Sequence, residues 1–160
     1  MTNLRPTYSS AFGLLTAAAA PDDQFVWTGD ISLEHPLFSG QIPVCLITKD
    51  EQLSPAMIGF AEQIVAHAGA YIEKSLRFIQ QTLVNDPEAY GITTEEQTWL
   101  PVAISEFPLE FPQITFFESE EWMMLFAAGR FRICDPFGIA VSYRGTVPVS
   151  VDNLEDSESI

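Results

Sequence analysis

Basic residues are scarce in this chain. Seven Lys and Arg stand against 22 Asp and Glu, for a formal net charge of −15 over 160 residues. Between residues 78 and 129 there are nine acids and no Lys or Arg, and the last nine residues add Asp152, Glu155, Asp156 and Glu158 with no base. Nucleic-acid binding needs a basic footprint, so DNA and RNA are excluded as partners, and an anionic membrane surface is repelled by the same field. A basic protein would instead be attracted and its encounter accelerated. The same acidity also keeps a protein soluble, whatever it binds.

Histidine and cysteine are as sparse, at two each. His35 precedes a proline in a loop and His67 lies in a helical pattern, with no HxxxH or HExxH, so there is no zinc framework. No EF-hand spacing exists either. No metal and no cofactor is expected. Cys45 and Cys134 sit in apolar runs (PVCLI and FRIC) outside any CxxC. They read as buried free thiols of a reducing compartment, although spacing alone does not decide against a disulfide. Asp135 beside Cys134 would raise its pKa and weaken it as a nucleophile. No run approaches the ~20 apolar residues of a membrane span. Residues 11–20 loosely imitate a signal peptide. The stretch before them carries one positive charge, however, Gly13 and Thr16 interrupt the apolar core, and Pro21 would follow the cut. A cytoplasmic protein is expected.

What is abundant is core material: 47% apolar residues, twelve of them Phe, with only 18% charged. That suits a single domain over residues 1–152, followed by a frayed acidic tail at 153–160. Strands are expected at 12–17, 24–33 and 41–48, the last apolar on both faces as in a central strand covered on both sides. Ser39 and Gly40 read as loop. Ser54 as N-cap and Pro55 at the first helical position open one long amphipathic helix to about Val84, with Gly69 a weak point within it. A shorter helix should start at Thr93 or Thr94, where Thr93 with Glu96, or Thr94 with Gln97, has capping-box spacing, and run to about Glu106. Pro108 and Pro112 bracket a loop. Strands at 114–117, 122–128, 131–134, 139–143 and 147–151, with a turn at 135–138, form a C-terminal meander. The expected class is α+β: an antiparallel sheet, from an N-terminal hairpin and this meander, packed on one long helix and a shorter second one.

The acid pairs Asp22–Asp23, Glu95–Glu96 and Glu120–Glu121 read as solvated faces, because neighbours on a strand point to opposite sides and cannot form a catalytic pair. One cluster stands out. Glu118, Glu120 and Glu121 occupy a turn flanked by Phe116, Phe117 and Trp122, and carboxylates beside aromatics suit Lys and Arg groups of a partner. The candidate partner-binding residues are Glu118, Glu120, Glu121 and Trp122, with Asp152, Glu155 and Asp156 of the tail.

Three stretches, FGLLT at 12–16, Trp27-Thr28-Gly29 with Ile31, and CDPFGIAV at 134–141, together resemble a bacterial domain of unknown function grouped with immunity proteins of polymorphic toxin systems. In that family a Trp-x-Gly strand, a long helix and a meander with an Asp-Pro-x-x-Gly-Ile turn follow one another. Here Gly138 sits one residue closer to Asp135 and Pro136, and Phe137 stands where the family often has His. The resemblance implies a cytoplasmic, non-enzymatic inhibitor whose acidity neutralises a basic toxin domain such as a nuclease. The alternatives are an accessory or scaffold protein that dimerises through an apolar sheet face, or a small hydrolase with an unrecognised site.

Overall fold

The computed structural model describes residues 7–10, 12–20, 23–50, 52–135 and 138–152. Eight strands lie side by side in chain order in one sheet. They are β1 (Thr7–Ser10), β2 (Gly13–Ala20), β3 (Gln24–His35), β4 (Phe38–Thr48), β5 (Leu109–Phe116), β6 (Glu121–Gly129), β7 (Ile139–Arg144) and β8 (Val147–Asp152). Every neighbouring pair is antiparallel except β4 and β5, which run parallel through Val44–Ile114, Cys45–Thr115 and Leu46–Phe116. Two helices, α1 (Pro55–Ala66) and the longer α2 (Ala68–Asn85), cross between them and pack on one face of the sheet. The architecture is thus α+β, an N-terminal and a C-terminal meander against a long and a shorter helix.

The core lies between the helices and alternate positions of the strands. Ile42, Val44 and Leu46 of β4 and Trp122, Met124 and Phe126 of β6 are buried on this face, against Ile58, Ile64, Ile72, Ile79 and Leu83 of the helices. Burying each such side chain contributes about 1.5–3 kcal/mol before conformational entropy is subtracted. At one end of the core the rings of Trp122 and Tyr143 stack with centroids 4.1 Å apart. Tyr71 meets both edge-on, and the buried Tyr143 hydroxyl shares a 2.7 Å hydrogen bond with Ser75.

Several elements depart from the sequence reading. The strand β1 was not expected. Ser39 and Gly40 belong to β4, whose second face is not covered: Cys45 and Ile47 are only half-buried. Ser54 caps α1 as expected, its Oγ accepting the Met57 N–H at 3.0 Å. The helical pattern to Val84 is nevertheless two helices, parted at His67, where φ and ψ are −119° and 30°. The second helix is not the one expected near 93–106, where the chain forms short 3₁₀ turns at Glu96–Trp99 and Ile104–Glu106. The Thr93 capping box does form: Thr93 Oγ1 accepts the Glu96 N–H at 3.2 Å and Glu96 accepts the Thr93 N–H at 2.9 Å. Residues 109–113 extend β5, with Phe111 at φ 59°. Residues 132–134 make a 3₁₀ turn instead of a strand. Of the expected 135–138 turn, Pro136 and Phe137 lie outside the described residues, as does the acidic tail from 153 onward, with Glu155 and Asp156. Asp135 and Gly138 are described, and the Gly138 N–H donates to Cys134 O at 2.6 Å.

Gly69 is more than a weak point. A Cβ there would run into the ring of His35, whose Nδ1 accepts the Leu37 N–H at 3.2 Å. Alanine ordinarily gains up to about 1 kcal/mol over glycine in a helix. Here Gly69→Ala should destabilise the protein, and in a His35→Ala background the same change should stabilise it. Urea unfolding of the four chains checks this reversal of sign. The same sign in both backgrounds would refute the contact.

Candidate functional site

A groove of about 290 Å³ opens where β4 ends, α1 begins and the β5–β6 connection turns. Each wall has a local cause. Thr48, buried at the end of β4, accepts the Trp27 Nε1–H at 3.2 Å and donates to Asp50 O at 2.6 Å, which anchors the segment leading to α1. The Ser54 cap fixes where α1 starts, and so places Met57 and Phe60 on its first turns as part of the floor. The opposite wall is Phe117, Glu118, Ser119 and Glu120. Ser119 and Glu120 take φ of 65° and 61°, the left-handed region that non-glycine residues occupy only when their surroundings demand it.

That demand is visible in the hydrogen bonds. Glu120 O accepts the Gly145 N–H at 2.9 Å, and the Phe117 N–H donates to Glu121 O at 2.7 Å. Trp122 Nε1–H donates to Gly145 O at 2.8 Å. The Glu118 carboxylate crosses to the other wall and accepts the Lys49 N–H at 3.3 Å. The groove therefore has an apolar floor of Met57, Phe60 and Phe117, a rim carrying Asp50, Glu118 and Glu120, and no basic residue among its described lining. Phe60 rests edge-on against Phe116, with centroids 6.2 Å apart, and Phe116 stacks on Trp122. The floor is thereby tied to the aromatic core.

The structure separates the residues expected to act together. Glu118 and Glu120 line the groove. Glu121 is exposed beside it and paired with Arg144 at 3.4 Å, an exposed pair of the kind worth little. Trp122 is not a surface residue: it is 1% exposed and faces the core. Strand alternation sends it to the side opposite Glu121, so it supports the turn from beneath and cannot meet a partner. Asp152 lies on the edge strand, four residues along β7 from the Glu121–Arg144 pairing by register, roughly 13 Å away. It accepts hydrogen bonds from Ser142 and Ser150 and has no part in the groove. Asp50, Met57 and Phe60 were missed. Their only sequence signal was the Ser54-Pro55 helix start, which places them near a strand end.

Glu96 also corrects the reading of the acid pairs as solvated. It is buried at 3% exposure, and its second oxygen accepts the Arg132 N–H at 2.7 Å. Both of its oxygens are engaged by backbone, so it ties two segments together. The thiols are poor nucleophiles. Burial pushes Cys45 up to about 11 and Cys134 up to about 12, the carboxylates of Asp135 and Glu96 adding to the second. Among the described residues no three His, Cys, Asp or Glu side chains stand close enough to hold a metal ion. None of the helices described is long and apolar enough to cross a membrane. Set beside known proteins, the chain matches no family model, no curated protein and no solved structure.

Proposed function

We propose that the chain is a non-enzymatic, cytoplasmic binding protein of the immunity type, which neutralises a basic toxin domain by seating one of its cationic side chains in the groove beside α1. The observation that carries this reading is the pairing of an apolar floor with a rim whose charged residues are all acids. A Lys or Arg stem would lie on Met57, Phe60 and Phe117 while its head reaches Asp50, Glu118 and Glu120. The base-free segment from 78 to 129 supplies Glu118 and Glu120 to that rim, and the net charge of −15 steers a basic partner towards the protein. The resemblance to immunity proteins of polymorphic toxin systems agrees with this reading.

The test isolates the partner by pull-down from the native host and measures its affinity for three chains. Glu118→Gln with Glu120→Gln should weaken binding by about tenfold or more, and Glu88→Gln with Glu106→Gln, which removes the same charge from exposed sites elsewhere, by under about threefold. Affinity should fall as salt rises, since exposed charges are screened beyond ~8 Å at physiological ionic strength. Equal losses in both double variants would remove the groove from the interface, and indifference to salt would remove electrostatic capture.

A further inference from the structure

The middle of the sheet face turned away from the helices carries little charge, with Glu34 lying beyond it on β3. Cross-strand register aligns Thr28, Cys45, Thr115, Met123, Ser142 and Ser150 in one row over six strands, all half-buried or exposed. The row on one side carries Gln113 and Leu125, both partly buried, and the fully buried Ala140, and has Asp30 on β3 and Asp152 on β8. The row on the other side carries Val26 and Ile47 and finishes at Phe117 and the Glu121–Arg144 ion pair. Among the described residues of the three rows Asp30 and Asp152 are the only uncompensated charges, in a chain with 22 acids. Val26, Ile47, Cys45, Met123 and Leu125 are meanwhile only partly buried and leave some apolar surface in water.

We infer that this face is where a second copy of the chain docks, sheet on sheet. The charge distribution selects that occupant. A basic partner finds only Asp30 and Asp152 on these rows to pair with, whereas two copies each carrying −15 repel across every acidic surface and approach most easily where charge is sparse. One patch serves both copies, as a two-fold interface requires. The area also suffices. Six strands about 4.8 Å apart by three rows about 7 Å apart give roughly 600 Å² per copy, at the lower end of the ~600–1,000 Å² per partner of a standard interface. Stacked sheets sit ~10 Å apart, which lets side chains such as Met123 and Leu125 interdigitate.

The experiment is sedimentation of the full chain over about a hundredfold range of concentration, at low and high salt. The wild-type chain should show the mass of a dimer, and the dimer should tighten with salt as the repulsion between like-charged copies is screened, the opposite sign to the groove's affinity for a basic partner. Thr28→Glu and Met123→Glu each place two like charges in the interface and should weaken self-association by at least about a hundredfold. Thr28 is exposed and Met123 half-exposed, so circular dichroism should report an intact fold for both. A monomer mass at every concentration, a dimer indifferent to both substitutions, or a dimer that weakens with salt would overturn the inference. So would loss of the dimer in Glu118→Gln with Glu120→Gln, because that would place the contact at the groove. A monomeric wild type would leave the groove reading standing, and a groove that binds nothing would leave the dimer standing.

Discussion

Trp122→Ala should lower the free energy of unfolding by about 3–5 kcal/mol, the range for removing a buried aromatic ring from a packed core. The ring stacks on Tyr143 and on Phe116 and meets Tyr71 edge-on, and such aromatic pairs add about 0.5–1.5 kcal/mol beyond their area. Its indole N–H donates to Gly145 O at 2.8 Å. Trp122→Phe keeps most of the stack and loses that bond, so it should cost only about 1–2 kcal/mol. Urea unfolding followed by far-ultraviolet circular dichroism measures both. If Trp122→Ala shifted stability by less than about 0.5 kcal/mol, as surface substitutions do, the residue would belong to a binding surface after all and the packing described here would be wrong.

The other large effect is expected at Gly138. It takes φ of +85°, and a Cβ there would strike Phe126 O and the Ala127 backbone. A side chain adds strain of about 1–3 kcal/mol from the dihedral angle and a comparable amount from overpacking against backbone that cannot rotate away. Gly138→Ala should therefore cost about 3–4 kcal/mol. Gly145 separates the two contributions, since it has φ of +60° with nothing within 4 Å of its missing Cβ. Gly145→Ala carries the dihedral strain alone and should cost about 1 kcal/mol. Thermal unfolding of the two variants side by side checks the ratio. Equal losses at Gly138 and Gly145 would show that the contact with Phe126 is relieved by movement of the β7 start.

The legible features of this fold were the local ones. Ser54-Pro55 marks a helix start because both residues satisfy the first turn's orphan groups within four positions, and the structure uses them so. The Thr93–Glu96 box was read for the same reason. The helix it should have opened does not continue, because a capping box closes one turn only and Pro101 removes a donor from the next. The break at His67 has no proline or glycine at it, and the apolar spacing runs on through it, so nothing in the periodicity shows it. Phe111 and Ser119 adopt left-handed dihedrals that their residue types disfavour, and turn rules built on glycine and asparagine pass over them. The burial of Glu96 depends on the Arg132 N–H, thirty-six positions away. The groove is similar: Met57 lies in the helix after β4 and Glu118 in the turn after β5, sixty-one positions apart. Trp122 is a different lesson. Strand alternation separates Glu121 from Trp122 at the start of β6, so acids and aromatics adjacent in the sequence do not form one surface there.

The parallel pairing of β4 with β5 gives the chain an unusual division of labour in folding. Each meander is assembled from hairpin contacts between neighbours in sequence, which close within microseconds. Val44 and Ile114, by contrast, are seventy positions apart. Closing a loop of that length costs about 4 kcal/mol of chain entropy by the logarithmic law, and no strand pairing repays it until the seam is made. The seam between β4 and β5 is therefore the pairing with the longest loop to close. The search time of the chain is concentrated in one event, the meeting of β4 and β5 around the helical crossover, and the same event brings the two walls of the groove together. Without that seam the chain has no groove.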